Sequence, residues 1–136
     1  MKRCLVVDDS DVIRRVARRI LESLGLQIQE AENGQEALKL CAEAMPDFIL
    51  LDWHMPGMAA MDLLRALRGA SDGNTAHIVY CTTENDREDI SRALEAGADD
   101  YLLKPFDREA LSMKFARTSR TLDRNAQDIM AVARPA

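Results

Sequence analysis

The chain has 136 residues, of which 47% are hydrophobic and 30% charged, and its formal net charge is −5. That length fits one domain with its own hydrophobic core, and the composition excludes a disordered chain. No apolar run approaches the roughly 20 residues that would span a bilayer, so we expect a cytoplasmic protein without membrane insertion. The acidic balance argues against nucleic acid as a partner, because phosphate backbones attract clustered Lys and Arg.

Short apolar segments alternate five times with segments of helical period, which predicts a parallel sheet covered by helices on both faces. The predicted strands are residues 4–7, 27–31, 48–51, 78–81 and 101–103. The second of these alternates with polar residues, which is typical of an edge strand. Asn33, followed three residues later by Glu36, is a plausible capping pair for the second helix. The sequence thus predicts an α/β fold with five helices.

Two pairs of arginines lie in the first predicted helix: Arg14 with Arg15, and Arg18 with Arg19. They alternate with apolar residues at helical spacing, and such a pattern has two interpretations. It favours the polar face of an amphipathic helix over a patch that binds nucleic acid.

The last predicted helix starts near Asp107 and its apolar period continues almost to the C-terminus. A continuous helix over residues 107–134 would measure about 42 Å, which exceeds the width of a small domain. We therefore divide the chain into a domain at residues 1–122 and a C-terminal helical extension or tail at residues 123–136. The extension is interpreted either as a frayed tail or as a docking helix for a partner or a second copy.

Polar side chains follow four of the five predicted strands. Asp8 and Asp9 follow the first strand, Asp52 the third, Thr82 the fourth and Lys104 the fifth. Because sites in open parallel sheets form beyond the carboxyl ends of the strands, we expect these side chains to converge. Taken alone, Thr82 would be interpreted as a buried hydroxyl bonded to the backbone, and Lys104 as a surface charge beside a turn. Their combination with three carboxylates is much more specific.

Three carboxylates brought together repel one another unless a cation lies among them or some of them are protonated. Hard oxygen ligands suit Mg²⁺, which would neutralise charge on a phosphoryl group while the Lys104 ammonium covers another oxygen. A carboxylate in such a site is a competent phosphoryl acceptor. Spacing alone leaves open which of the aspartates accepts the group.

Four motifs carry a family resemblance: Val6-Val7-Asp8-Asp9-Ser10, Leu50-Leu51-Asp52-Trp53-His54-Met55-Pro56, Cys81-Thr82-Thr83 and Tyr101-Leu102-Leu103-Lys104-Pro105-Phe106. With them, the chain resembles the receiver domains of two-component response regulators over residues 2–122, and it is most similar to the single-domain, chemotaxis CheY-like kind. The resemblance implies a flavodoxin-like, doubly wound sheet of strand order 2-1-3-4-5.

The resemblance also implies roles for the site residues. Asp52 matches the phosphoacceptor, and Asp8 and Asp9 match the acidic pair that binds Mg²⁺ together with Asp52 and the main-chain carbonyl of His54. Thr82 and Lys104 match the catalytic hydroxyl and lysine. Thr82 also forms a switch with Tyr101, an aromatic residue that turns inward, and the Lys104–Pro105 bond is cis in such domains. As a hypothesis, His54 and Glu84 flank the phosphate and tune its hydrolysis.

The resemblance implies a signalling switch rather than an enzyme, although the domain catalyses its own phosphotransfer and dephosphorylation. Its partners would be a sensor histidine kinase and a downstream protein, either a flagellar motor switch component or another kinase, with the chain a monomer or weak dimer. The main alternative is a phosphorelay intermediate or phosphate sink without a downstream target. A phosphohydrolase with an aspartyl nucleophile is disfavoured, because His54 stands where such enzymes place a second acid. A nucleotide-binding module would need a Gly-rich loop after the first strand.

Overall fold

The computed structural model describes residues 2–70, 74–83 and 87–122, with side chains of the last helix described as far as Phe115. Strands and helices alternate along the chain. The strands are β1 (Arg3–Val7), β2 (Gln27–Ala31), β3 (Phe48–Asp52), β4 (His77–Thr82) and β5 (Asp100–Leu103). The helices are α1 (Asp11–Ser23), α2 (Gly34–Glu43), α3 (Ala60–Gly69), α4 (Arg87–Ala96) and α5 (Arg108–Leu122).

All five strands pair in parallel, in the order β2-β1-β3-β4-β5, which confirms the predicted α/β fold and strand order. The central strand β3 is buried at every residue, as expected of a parallel strand covered on both faces. Strand β2 lies at an edge and keeps polar residues, as its alternating pattern predicted.

The hydrophobic core has two halves, one on each face of the sheet. Helices α2, α3 and α4 pack on one half, with Leu63 and Leu64 fully buried against Leu51 and its neighbours. Helices α1 and α5 pack on the other half, with Leu21 and Phe115 buried. Because successive strand residues point to opposite faces, one apolar strand supplies both halves of the core.

Helices α1 and α2 begin at residues whose side chains accept hydrogen bonds from free backbone N–H groups. Ser10 caps α1 by accepting from Ile13 N at 3.3 Å. Asn33 Oδ1 accepts from Glu36 N at 2.8 Å at the start of α2, which confirms the predicted cap. Helix α1 therefore starts three residues after Asp8, and its Ser10 cap keeps the end of β1 close to the N-terminus of the helix.

The predicted extension at residues 123–136 lies outside the described residues. Within the described part of the chain, no helix has both the length and the apolar character needed to cross a bilayer.

Candidate functional site

The carboxyl edge of the sheet gathers the polar residues that the sequence placed at the strand ends. Among the described residues, the buried polar or charged side chains are Asp8, Asp52 and Thr82, and all three lie at this edge. The edge is compact because β1 and β4 both pair with β3, with Asp52 opposite Cys81 in the register. Polar groups are rarely buried without a partner, so their concentration at one edge marks a site.

Asp8, Asp9 and Asp52 form an acidic cluster, in which one carboxylate oxygen of each lies within 4.8 Å of the others. Asp8 and Asp52 are buried, whereas the side chain of Asp9 is 41% exposed. The cluster therefore consists of two buried carboxylates and one carboxylate that solvent can reach.

Lys104 joins the two buried acids of this cluster. Its Nζ donates to Asp8 Oδ2 at 2.8 Å and to Asp52 Oδ1 at 2.7 Å. Burial disfavours the ammonium, but its hydrogen bonds to the two carboxylates outweigh that effect and raise the pKa of Lys104. The lysine thus stays charged, and one positive charge lies among three carboxylates.

The pKa of Asp52 is raised above its ordinary value. Burial is the largest cause, the negative charges of Asp8 and Asp9 add to it, and the hydrogen bond from Lys104 opposes it. The protein alone therefore does not fully balance the negative charge of ionised Asp52, and a divalent cation would supply the missing positive charge. The clustered oxygen donors fit Mg²⁺, which prefers hard ligands.

The loop that connects β1 to α1 fixes Asp8 from several directions. Its Oδ1 accepts from Ser10 N at 2.9 Å, and its own N–H donates to the Ala31 carbonyl at 3.1 Å. Arg14 Nη1 donates to the Asp8 main-chain carbonyl at 2.6 Å. The sequence pattern placed Arg14 on the polar face of an amphipathic helix, and in the structure its side chain is only 13% exposed. Helical spacing predicts the face of a residue but not such a contact back to the preceding loop.

His54 follows Asp52 by two residues in the loop between β3 and α3. Its side chain is 63% exposed, and its Nδ1 lies 3.8 Å from Asp9 Oδ2. That imidazole thus borders the open side of the acidic cluster, whereas the predicted role of its main-chain carbonyl as a metal ligand stays a prediction. Glu84, its predicted companion, lies outside the described residues.

The two predicted switch residues occupy neighbouring strands. Thr82 is fully buried at the end of β4, and its carbonyl accepts from Lys104 N at 2.8 Å. Tyr101 on β5 is 38% exposed, and Lys114 Nζ lies 5.0 Å from its ring centroid. In this structure the tyrosine therefore points outward, with its ring partly exposed to solvent. The peptide bond between Lys104 and Pro105 is cis.

Comparisons with known proteins agree with this arrangement. The family model described as the response regulator receiver domain matches residues 4–116. Chemotaxis protein CheY-3 of Vibrio cholerae is 36% identical over 113 residues, which cover 82% of this chain and 87% of that protein. Chemotaxis protein CheY of Pseudomonas aeruginosa is 35% identical over 116 residues, covering 85% and 94%. The solved structure of chemotaxis response regulator CheY4 of Vibrio cholerae superposes with a TM-score of 0.82 at 33% identity, covering 86% and 98%.

Proposed function

The chain belongs to the response regulator receiver family, and we propose that it is switched by phosphorylation of Asp52, with Mg²⁺ held by Asp8, Asp9, Asp52 and the main-chain carbonyl of His54. The observation that carries this proposal is the buried Asp52 carboxylate, which shares a single lysine with Asp8 in an acidic cluster. Residues 1–122 would form the receiver domain.

The proposed reaction is an in-line displacement at phosphorus. An Asp52 carboxylate oxygen forms the new O–P bond while the bond between phosphorus and the imidazole nitrogen of a phosphohistidine breaks, and the electron pair stays with the leaving imidazole. Bound Mg²⁺ would supply positive charge to the phosphoryl oxygens. Lys104 already donates to Asp52, so its ammonium can transfer one hydrogen bond to a phosphoryl oxygen without a large movement. The same residues would assist hydrolysis of the aspartyl phosphate by water.

Thr82 and Tyr101 would convert the new charge into a change of shape. The Thr82 hydroxyl lies on the strand next to β3 and would donate to a phosphoryl oxygen, which vacates space behind it. Tyr101, which points outward in this structure, would then turn inward and change the surface of α4, β5 and α5. Such a switch is a population shift between two conformations that exist before phosphorylation.

We propose a sensor histidine kinase as the phosphodonor and a protein as the target, with a role of the chemotaxis type. The two chemotaxis proteins named above align with this chain over most of their own length, which supports this choice. A flagellar motor component and a second kinase are the candidate targets. A phosphorelay intermediate is the second candidate function.

The first experiment follows the phosphoryl group itself. Purified protein is incubated with Mg²⁺ and a small-molecule phosphodonor such as acetyl phosphate, and phosphorylation is measured by intact mass spectrometry. We expect one phosphoryl group on wild type and none on Asp52→Asn. Asp62→Asn is the matched control, because this acid lies on α3 and its side chain is 72% exposed. Equal phosphorylation of Asp52→Asn and wild type would contradict the proposal.

A second experiment separates the two candidate functions. A pull-down compares phosphorylated wild type with Asp52→Asn, using extracts of the source cells. A protein captured only by the phosphorylated form supports a switch with its own target. The phosphorelay function is supported if both forms capture the same proteins and the phosphoryl group passes from Asp52 to a histidine side chain of another protein.

A further inference from the structure

Asp8 is held at each of its backbone and carboxylate polar atoms, and one of these contacts comes from a residue that the proposed chemistry does not use. The backbone N–H and the two carboxylate oxygens are bonded to Ala31, Ser10 and Lys104. The main-chain carbonyl accepts from Arg14 Nη1 at 2.6 Å. A hydrogen bond from a charged guanidinium is among the stronger ones available to a carbonyl.

Arg14 is itself fixed by two acids on either side of it. Its Nε donates to Glu30 Oε1 at 3.1 Å, and its Nη2 lies 3.4 Å from Asp11 Oδ1. The planar guanidinium has donors in a rigid fork, so contacts at Nε and Nη2 determine where Nη1 points. Edge strand β2, through Glu30, thereby sets the position of a donor that reaches the end of β1.

The contact with the Asp8 carbonyl also constrains the next residue. The Asp8 carbonyl and the Asp9 N–H belong to one planar peptide unit, so holding the oxygen also orients the N–Cα bond of Asp9 and restricts where its side chain can lie. The Asp9 carboxylate is 41% exposed, and His54 Nδ1 lies 3.8 Å from its Oδ2, beyond hydrogen-bond distance. Its position in the acidic cluster therefore depends mainly on the backbone.

We propose that Arg14 is a positioning residue for the Mg²⁺ site: it holds the Asp8–Asp9 peptide so that both carboxylates face Asp52. The inference rests on the proposed function, since it concerns how that site is built. Arg14 pairs with the carboxylates of Glu30 and Asp11 and reaches Asp8 through its main-chain carbonyl, so it donates no hydrogen bond to a carboxylate of the acidic cluster.

Helix α1 offers a matched control one turn further along. Arg18 Nε donates to the same Glu30 at 2.7 Å, and its Nη2 donates to the Ile28 carbonyl at 3.2 Å. Arg18 thus makes the same kinds of bond as Arg14 but donates to no atom of Asp8. Both Arg14→Met and Arg18→Met lose an ion pair with Glu30, but only Arg14→Met loses the contact with Asp8. The difference between the two variants therefore measures the effect of that contact.

The experiment measures Mg²⁺ affinity rather than phosphorylation. Trp53, the one tryptophan of the chain, follows Asp52 and is 37% exposed, so its fluorescence can report Mg²⁺ binding, with calorimetric titration as a second measurement. We expect the dissociation constant of Arg14→Met to rise about tenfold, as is typical when a residue that orients a metal ligand is removed. Arg18→Met should stay within about twofold of wild type on the same basis. Urea unfolding without Mg²⁺ shows whether the two variants lose comparable stability.

A rise in the dissociation constant common to Arg14→Met and Arg18→Met would overturn the inference, because it would trace to Glu30 or to stability. If Arg14→Met does not fold, Arg14→Lys serves instead, since one ammonium cannot replace the guanidinium fork between Asp8 and Glu30. A dissociation constant of Arg14→Lys equal to that of wild type would then overturn the inference. Absence of Mg²⁺ binding by wild type would overturn the metal site of the proposed function as well, which separates the two failures.

Discussion

Replacing Asp52 by Asn removes one negative charge from the acidic cluster and keeps the size of the side chain. Asp52 lies within 4.8 Å of the other two carboxylates, and the repulsion from buried Asp8 costs about 3.5 kcal/mol at an effective dielectric constant of about 20. The repulsion from Asp9 costs less, because this side chain is 41% exposed and water screens its charge. The Lys104 ammonium at 2.7 Å stabilises Asp52 by about 6 kcal/mol on the same scale. The attraction to Lys104 therefore offsets the two repulsions, and burial of Asp52, the largest cause of its raised pKa, is what disfavours the ionised form. We therefore expect the free energy of unfolding of Asp52→Asn to be about 1–2 kcal/mol higher than that of wild type at pH 7 without Mg²⁺.

The pH dependence of this difference has a definite sign. Because the pKa of Asp52 is raised in the folded protein, the folded state holds this proton more tightly than the unfolded state does. The stability from protonated Asp52 is fully present below the ordinary pKa of 3.8 and is lost as the pH rises through the folded-state pKa. The advantage of Asp52→Asn should therefore be largest near neutral pH and should disappear below pH 3.8.

The assay is equilibrium urea unfolding of wild type, Asp52→Asn and the exposed control Asp62→Asn, in EDTA and in excess Mg²⁺. At a Mg²⁺ concentration about 100 times the dissociation constant, wild type should gain about 2.7 kcal/mol. Asp52→Asn lacks one ligand and should gain less, so its advantage should be lost. If Asp52→Asn is less stable than wild type in EDTA at pH 7, the ion pair with Lys104 outweighs repulsion and burial, and the electrostatic reasoning is refuted.

Two further predictions concern contacts away from the acidic cluster. Gly97→Ala should lower the free energy of unfolding by about 2 kcal/mol or more, because Gly97 has φ +127° and an added Cβ would lie 2.5 Å from Arg68 Cγ. Gly25→Ala is its control, with φ +87° but nothing within 4 Å of the added Cβ; it should lose only about 1 kcal/mol in the same urea experiment, and equal losses would contradict the steric argument. Tyr80→Phe should lose about 1.5–3 kcal/mol, because the buried hydroxyl donates to Asp89 Oδ2 at 3.0 Å. Since that bond joins β4 to α4, backbone amide exchange in the first turn of α4 should be faster in Tyr80→Phe than in wild type. Unchanged exchange there would contradict a stabilising role of the bond.

Contacts that join distant parts of the chain could not be predicted from the sequence. The bonds of Lys104 to Asp8 and Asp52 span 96 and 52 residues, and the bond of Arg14 to the Asp8 carbonyl depends on how α1 leaves the strand. Tyr80 lies within the predicted strand at residues 78–81, but nothing in that pattern indicates that its hydroxyl donates to Asp89 on α4. Such contacts depend on rotamers and on the packing of one element on another, which local patterns do not specify.

The sequence by itself determined the alternation of strands and helices and the carboxyl-edge position of Asp8, Asp9, Asp52, Thr82 and Lys104. These follow from hydrophobic period and chain order, which are local properties of the sequence. Only the tertiary structure decided that Lys104 bonds two acids at once, that Tyr101 points outward and that Arg14 donates to the loop after β1. Burial and distance, which set the electrostatics of the acidic cluster, exist only once the elements have packed together.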